Sequence, residues 1–220
     1  MLSKRLQAIA DMVPPCRRLI DIGTDHAFLP IELVGRSICR TAVAADLRPG
    51  PLRRARQHVD AAGLRDQICL CLSDGLDQID LMPDDVIVIA GLGGLEMIHI
   101  LERVDWQSQT IILQPMKSAY ELRLWLAAHG FTIRDEQLAD EGRHIYPLLR
   151  LTAGQPQYEL SDLLAFIGPV LLRRQPAGFG RYLKRRVHQL ELAGRGRPQL
   201  QAALSRARMI LAEVTEEVST

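Results

Sequence analysis

The segment Leu19-Ile20-Asp21-Ile22-Gly23-Thr24-Asp25-His26-Ala27 decides the fold. An apolar strand runs into a turn that contains glycine, and residues 27–36 then have the pattern of a helix. In open α/β sheets such a strand, turn and helix meet at the carboxyl edge of the sheet, where nucleotide-like ligands bind. The segment therefore predicts an α/β fold and the position of its ligand site.

Short apolar runs alternate with helix-length amphipathic stretches from residue 17 to about residue 151, as in α/β proteins. Strands are predicted at 18–22, 41–45, 67–72, 85–90, 110–113, 131–138 and 143–151. Helices are predicted at 27–36, 50–62, 94–103 and 118–129, and Gly63 and Gly130 end two of them. The last two strands are four residues apart and so predict an antiparallel hairpin. Five parallel strands followed by a hairpin resemble the Rossmann-like sheet of class I methyltransferases.

The pattern changes at Thr152-Ala153-Gly154-Gln155-Pro156, which predicts a first domain at 1–151 and a small helical domain at 152–220. In the second domain, apolar residues repeat at intervals of three and four on both sides of a turn at 194–198. They are Leu183, Val187 and Leu190, then Leu200, Leu204, Ala207, Leu211 and Val214. This heptad-like seam predicts an antiparallel, coiled-coil-like hairpin, closed within one chain or between two. A monomer or a weak homodimer is expected.

The chain has the composition of an ordinary globular protein, with 47% hydrophobic and 24% charged residues. It has no apolar run of the roughly 18–20 residues that a membrane span needs, and its N-terminus lacks the apolar core of a secretory signal. We therefore expect a cytoplasmic protein with no membrane partner. The four cysteines (Cys16, Cys39, Cys69 and Cys71) form no Cys-x-x-Cys pair, so we expect reduced core residues.

The net charge of +1 hides a strong asymmetry along the chain. Residues 173–208 hold ten Lys or Arg and a single acid, Glu191, so this segment carries +9 and the remainder −8. An acidic body with a basic appendage is typical of a protein with a polyanionic partner. A solvated helix face explains the same charges equally well.

Acidic residues stand at the ends of three successive predicted strands, and they favour one kind of ligand. They are Asp21, Asp46 and Asp74. Asp46 follows Gly23 by 23 residues, where Rossmann-like sites place an acid for ribose hydroxyls. A dinucleotide site needs G-x-G-x-x-G, but Asp25 stands in place of the second glycine and would repel a pyrophosphate. S-adenosylmethionine is cationic and phosphate-free, so this edge suits it better. Singly, each acid could also be an N-cap or turn residue.

The fourth predicted strand ends in Ala90-Gly91-Leu92-Gly93-Gly94. Three glycines in four positions leave the backbone unscreened, so that a flat base or a methyl donor can approach it. Glycine is also used at such turns merely for positive φ. We assign Ala90 and Gly91, with Gly75, to the cofactor site, and Gly93 and Gly94 to the substrate.

Four motifs together resemble the bacterial tRNA adenine N1-methyltransferases that modify the D-arm junction. In order they are 21–30 (DIGTDHAFLP), 73–76 (SDGL), 89–94 (IAGLGG) and 112–115 (ILQP). The resemblance spans about residues 3 to 150, and members of that family continue into a helical, coiled-coil-like domain. They usually have Asn where this chain has Met116, and Glu where it has Pro147.

This resemblance implies methyl transfer from S-adenosylmethionine to N1 of an adenosine in tRNA. Because the product base is cationic, a nearby carboxylate would stabilise the transition state, and Asp25 is the candidate. His26 is a second candidate, for contact with the base or for proton management, although it could simply start a helix. The expected substrate contacts also include Gln114, Pro115, Arg181, Lys184 and Arg185.

Two other functions stay open from the sequence. A methyltransferase for a small molecule or a protein would leave the basic segment unexplained, and a catalytically silent tRNA-binding homologue is compatible with Met116. A nicotinamide-dependent oxidoreductase is disfavoured by the single glycine at Gly23. His99, His129, His144 and His188 lack ligand spacing, so no metal site is expected.

Overall fold

A computed structural model describes residues 2–153 and 160–217. Within them a seven-stranded sheet has the order β3-β2-β1-β4-β5-β7-β6. The strands are β1 (Cys16–Ile22), β2 (Cys39–Asp46), β3 (Ile68–Leu72), β4 (Val86–Ala90), β5 (Thr110–Gln114), β6 (Phe131–Asp140) and β7 (Ile145–Ala153). The first five are parallel, and β7 lies antiparallel between β5 and β6. The predicted strands and hairpin are confirmed, whereas the insertion of β7 next to β5 was not predicted.

Helices cover both faces of the sheet, because the inner strands are apolar on both sides. The helices are α1 (Lys4–Met12), α2 (Phe28–Gly35), α3 (Pro49–Ala61), α4 (Gly94–Leu101), α5 (Ala119–Ala128), α6 (Asp162–Ile167), α7 (Pro169–Arg174), α8 (Phe179–Ala193) and α9 (Gln201–Glu217). Helices α1, α2 and α3 pack on one face and α4 and α5 on the other. Gly63 and Gly130 follow α3 and α5 with positive φ, as predicted for helix stops.

Helix α1 was missed at the sequence level. Ser3 caps it by accepting a hydrogen bond from the Leu6 amide at 3.2 Å, and the apolar face of the helix, with Ile9 and Met12, is buried against the sheet. The spacing of these apolar residues after a serine was the available signal. Because α1 contacts β5, β6 and β7, it brings the N-terminal segment close to the carboxyl edge of the sheet.

The C-terminal helices form a third hydrophobic cluster, which includes Ile145 of β7. Helices α8 and α9 pack together within the chain. They are antiparallel, since Gly180 at the start of α8 lies beside Val214 near the end of α9, while Gln201 donates to the Gly194 carbonyl at 3.2 Å. Of the predicted boundary at 152–156, residues 154–156 lie outside the described part of the chain.

A fully buried ion pair joins the sheet to the C-terminal helices. Arg123 of α5 donates from Nε to Glu136 of β6 at 2.8 Å, and from Nη1 to the Ala165 carbonyl of α6 at 3.0 Å. Glu136 Oε2 accepts from the Val170 amide of α7 at 2.8 Å. A Cβ at Gly168 would lie 2.8 Å from both charged groups, so a side chain there would displace the pair.

The cysteine prediction is partly wrong. All four thiols are free, but Cys69 is exposed, because β3 is the edge strand of the sheet. Cys16 and Cys39 are partners on β1 and β2, with 3.0 Å between their sulfurs. In the described part of the chain, no helix is long and apolar enough to cross a membrane.

Replacing Arg123 with Met should lower the free energy of unfolding by about 3–5 kcal/mol, because Glu136 would keep a buried charge without its partner. Urea denaturation measures the change. The control is Arg40→Met on the exposed side of β2, which should stay within about 0.5 kcal/mol of the wild type. Equal effects of the two substitutions would contradict the role of the ion pair.

Candidate active site

Two adjoining cavities lie at the carboxyl edge of the sheet, where the strand order reverses between β1 and β4. The larger one has a volume of about 580 Å³, and we call it the donor cavity after the methyl donor that the sequence predicts at this edge. The smaller one has a volume of about 400 Å³, and we call it the target cavity after the predicted target base. Both are lined by Gly23, Asp46, Arg48 and Leu92. The turn predicted from the sequence is therefore the shared wall of the two cavities.

The donor cavity brings together residues from the ends of β1, β2 and β3. Asp46 is 7% exposed and accepts a hydrogen bond from the Arg48 amide at 2.8 Å, which fixes the carboxylate at the strand end. Asp74 and Gly75 lie at the opposite wall, where Arg103 approaches Asp74 Oδ1 at 3.4 Å. A Cβ at Gly75 would meet Ile100 at 3.0 Å, in addition to having φ of +58°.

Asp21 lies beneath the target cavity, and its carboxyl group is almost completely buried. Burial raises the pKa of Asp21 to about 7, and the charge of the nearby Asp46 acts in the same direction. A cationic ligand would reverse this effect and favour the ionised carboxylate. The pair of acids is thus suited to a positively charged ligand and unsuited to a phosphate.

Asp25 and His26 enter the target cavity with a set of groups that the sequence did not reveal. Asp25 forms an ion pair with Arg54 of α3, which lowers the pKa of its carboxyl group and keeps it ionised at neutral pH. The His26 ring stacks on Phe28 with centroids 5.0 Å apart, and its Nδ1 is buried without a hydrogen-bond partner among the described residues. His58 contacts both rings, with its centroid 5.0 Å from that of Phe28 and 5.2 Å from that of His26.

Phe28 is 45% exposed although it is aromatic, and its ring lines the target cavity. At the sequence level, this residue was included only within the motif at 21–30 and had no role of its own. An exposed aromatic ring in a polar cavity offers a flat surface on which a base can stack. The available signal was an aromatic residue two positions after His26, at the start of a helix.

Gln114 is completely buried at the end of β5, and its side-chain oxygen is held from two sides. It accepts from Arg5 Nη1 at 2.6 Å and from the Gly91 amide at 3.2 Å. Ala90, Gly91 and Arg5 all line the target cavity. Arg5, on the helix that sequence analysis missed, thus fixes the orientation of the Gln114 amide.

The loop after β4 is joined to the loop after β5. The Met116 amide donates to the Leu92 carbonyl at 2.8 Å, and the Gly94 amide to the Lys117 carbonyl at 2.9 Å. A Cβ at Gly94 would lie 2.3 Å from the Ser118 carbonyl oxygen. Gly94 therefore packs against the neighbouring backbone, while Gly93 lies beneath the Lys117 side chain. Pro115 is buried in the same loop.

Part of the positive charge of the basic segment is paired within the protein and is therefore less available to a partner. Arg174, Arg181 and Arg208 form ion pairs with Asp135, Asp140 and Glu191, and Arg185 donates to the Arg143 carbonyl. Arg181, Lys184 and Arg185 nevertheless line one open cavity together with His144 and His188. The described residues contain no group of three or more His, Cys, Asp or Glu able to hold a metal ion.

Comparisons of the chain with known protein families and structures agree with this geometry. Residues 2–149 match the protein family described as "Methyltransferase domain", and the chain belongs to it. The tRNA (adenine(22)-N(1))-methyltransferase of Bacillus subtilis (strain 168) is 35% identical over 185 residues, which cover 81% of this chain and 78% of that protein. The chain is therefore a member of the bacterial tRNA (adenine-N1)-methyltransferase family.

Two solved structures resemble the whole chain. A Streptococcus pneumoniae protein in complex with S-adenosyl-L-methionine is 34% identical, with a TM-score of 0.84 over 96% of this chain and 100% of that one. TrmK from M. capricolum, in complex with S-adenosyl-homocysteine, is 27% identical, with a TM-score of 0.77 over 100% of this chain and 98% of that one. The likeness thus extends through the C-terminal helices.

The raised pKa of Asp21 predicts how stability depends on pH. The folded protein without ligand holds this proton up to about pH 7, whereas the unfolded chain releases it near pH 4. The contribution of Asp21 to the free energy of unfolding should therefore fall, by up to about 4 kcal/mol, as the pH rises from about 4 to about 7. Urea denaturation across this range measures it as the difference between the wild type and Asp21→Asn.

Asp66→Asn, an exchange at an exposed carboxyl group, is the matched control. Because its side chain is exposed, this exchange should keep the free energy of unfolding within about 0.5 kcal/mol of the wild type. A flat difference for Asp21→Asn across the same pH range would show that Asp21 has an ordinary pKa in the folded protein.

Proposed function

We propose that this protein transfers the methyl group of S-adenosylmethionine to N1 of an adenosine in tRNA. The observation that carries the proposal is the donor cavity, which the strand-end carboxylates Asp46 and Asp74 line in a member of this enzyme family. We further propose that residues 1–151 are the catalytic domain and 152–220 a helical tRNA-binding domain. One chain contains every residue used in the mechanism below, so a monomer is sufficient for activity. Since the substrate is tRNA, a cytoplasmic location is favoured.

The residues of the donor cavity fit the proposed cofactor. The Asp46 carboxylate is an acceptor for ribose hydroxyls, and Asp74 with Gly75 forms the wall for the adenine. Asp21, Gly23, Ala90 and Gly91 line the target cavity, and Gly23 also lines the donor cavity. When bound there, S-adenosylmethionine supplies a methyl group activated by its sulfonium.

The protein contributes mainly by positioning the target base. N1 of neutral adenine has a lone pair, so the reaction is an in-line displacement that requires no proton removal, and orientation supplies most of the rate. N1 lies on the pairing edge, so the adenosine must leave its base pair before it reacts. The exposed Phe28 ring, which stacks on His26, gives the unpaired base a surface on which to stack.

Charge at the target cavity favours the cationic product. Asp25 stays ionised because Arg54 lowers the pKa of its carboxyl group, although Arg54 also offsets part of its charge. A preorganised carboxylate near the base stabilises the positive charge that develops on the adenine ring. No general base is needed, so His26 serves as a contact to the base rather than as a proton acceptor.

Incubation with radiolabelled S-adenosylmethionine and unmodified tRNA, followed by nucleoside mass spectrometry, tests the function directly. We expect 1-methyladenosine as the labelled product. Binding of tRNA without incorporation of label would instead indicate a silent homologue. Label in protein or small molecules alone would indicate a different substrate class.

Asp46→Ala should weaken S-adenosylmethionine binding by about 10-fold or more, because ribose hydroxyls would lose a charged acceptor worth about 1.5–3 kcal/mol. Isothermal titration calorimetry measures the change. Asp60→Ala, on the exposed side of α3, is the control and should bind as the wild type does. Unchanged affinity in Asp46→Ala would remove Asp46 from the cofactor site.

Arg5→Met should release the Gln114 amide and lower kcat for tRNA methylation by about 10-fold or more, since small errors in positioning are costly in rate. Affinity for S-adenosylhomocysteine should change little, because Arg5 lines the target cavity and not the donor cavity. Arg17→Met, an exposed position at the start of β1, is the matched control. Equal kcat values for the two variants would refute a positioning role for Arg5.

A further inference from the structure

Another cavity lies between the catalytic sheet and the C-terminal hairpin, and we call it the junction cavity. It has a volume of about 290 Å³. Its walls come from the loop after β5, the first turn of α5, Phe166 of α6, and the residues Arg186, Gln189, Ala193 and Arg197 of α8 and the turn after it. None of the residues assigned to cofactor or substrate above lines this cavity.

The charges of the junction cavity are unbalanced. Lys117, Arg186 and Arg197 line it, and within the described residues none of the three takes part in an ion pair. Glu121 is the acid in the lining. Nearby arginines of the same segment, such as Arg181 and Arg208, are by contrast neutralised by carboxylates. The lining therefore carries three positive charges against one negative charge.

Arg186 is held in place without an anionic partner. Its guanidinium lies over the Tyr182 ring, 4.8 Å from the centroid, and Nη1 donates to Gln189 Oε1 at 2.8 Å. Its Nε is buried and has no acceptor among the described residues. A planar guanidinium fixed by stacking and left with unused donors is typical of phosphate recognition.

The loop after β5 connects the catalytic site to the junction cavity. Met116 and Lys117 line the cavity, and they follow directly after Gln114 and Pro115. The Lys117 side chain lies over Gly93, so its charge is placed between the loop after β4 and α8. A nucleic-acid strand that leaves the target cavity along this loop would reach the three basic side chains next.

We infer that the junction cavity binds a backbone phosphate of the tRNA, close to the methylated nucleotide. This inference rests on the proposed function and adds a specific contact to it. The contact would couple the basic hairpin to catalysis, because the phosphate would be held jointly by Lys117 from the catalytic sheet and Arg186 from α8. It would also fix the direction in which the strand leaves the active site.

The test compares Arg186→Gln and Lys117→Gln with Arg65→Gln, which removes the same charge at the opposite edge of the sheet, before β3. We expect each cavity variant to weaken tRNA binding and to reduce the slope of log Kd against log salt concentration by about 1. Affinity for S-adenosylhomocysteine should stay at the wild-type value in all three variants, which also shows that they fold.

Salt slopes equal to that of Arg65→Gln in both cavity variants would overturn the inference. If the wild type itself incorporates no methyl group into tRNA, the proposed function fails instead, and the two failures are thus distinguishable. Inorganic phosphate, titrated at constant ionic strength, provides the last comparison. Micromolar phosphate binding that is lost in Arg186→Gln, with tRNA affinity unchanged, would identify a free anion as the ligand and exclude the tRNA backbone.

Discussion

The buried ion pair between Arg123 and Glu136 is the interaction on which the arrangement of the molecule depends. One guanidinium and one carboxylate join α5, β6, α6 and α7, because each charge also binds backbone groups of the C-terminal helices. A buried pair of this kind contributes little net stability, but it is strongly destabilising when half of it is missing. Its effect is therefore geometric, since it sets where the helical hairpin stands relative to the sheet.

That placement gives the basic hairpin its relation to the catalytic edge. Pairs such as Arg181 with Asp140 attach α8 to the end of β6 and consume part of its charge. Among the basic residues of this segment that form no ion pair within the described residues, Lys184 lies beside the tip of the β6–β7 hairpin and Arg186 beside the loop after β5. The charges of the basic segment thus act in two ways. Some of them form ion pairs that hold the protein together, and the others form a basic surface.

The sequence predicted those parts of the protein that local patterns determine. Apolar runs located the strands, and Gly63 and Gly130 marked helix ends, because strand burial and positive φ depend on neighbouring residues. The strand-end acids Asp21, Asp46 and Asp74 were placed at one edge by the rule for parallel sheets. Contacts between distant segments could not be predicted in this way. Arg5 lies 109 residues from Gln114, and nothing in either local pattern indicates that they meet.

The close contact between Gly94 and the Ser118 carbonyl has an evolutionary consequence. Because the two loops share backbone hydrogen bonds, and because no side chain fits at Gly94, neither loop can be remodelled independently of the other. Diversification of this scaffold towards other nucleotides is therefore confined to side chains that project from the joined loops, among which Met116 and Lys117 are exposed. Natural variation in this region should therefore be found in exposed side chains such as Met116 and Lys117, while Gly94 stays unchanged.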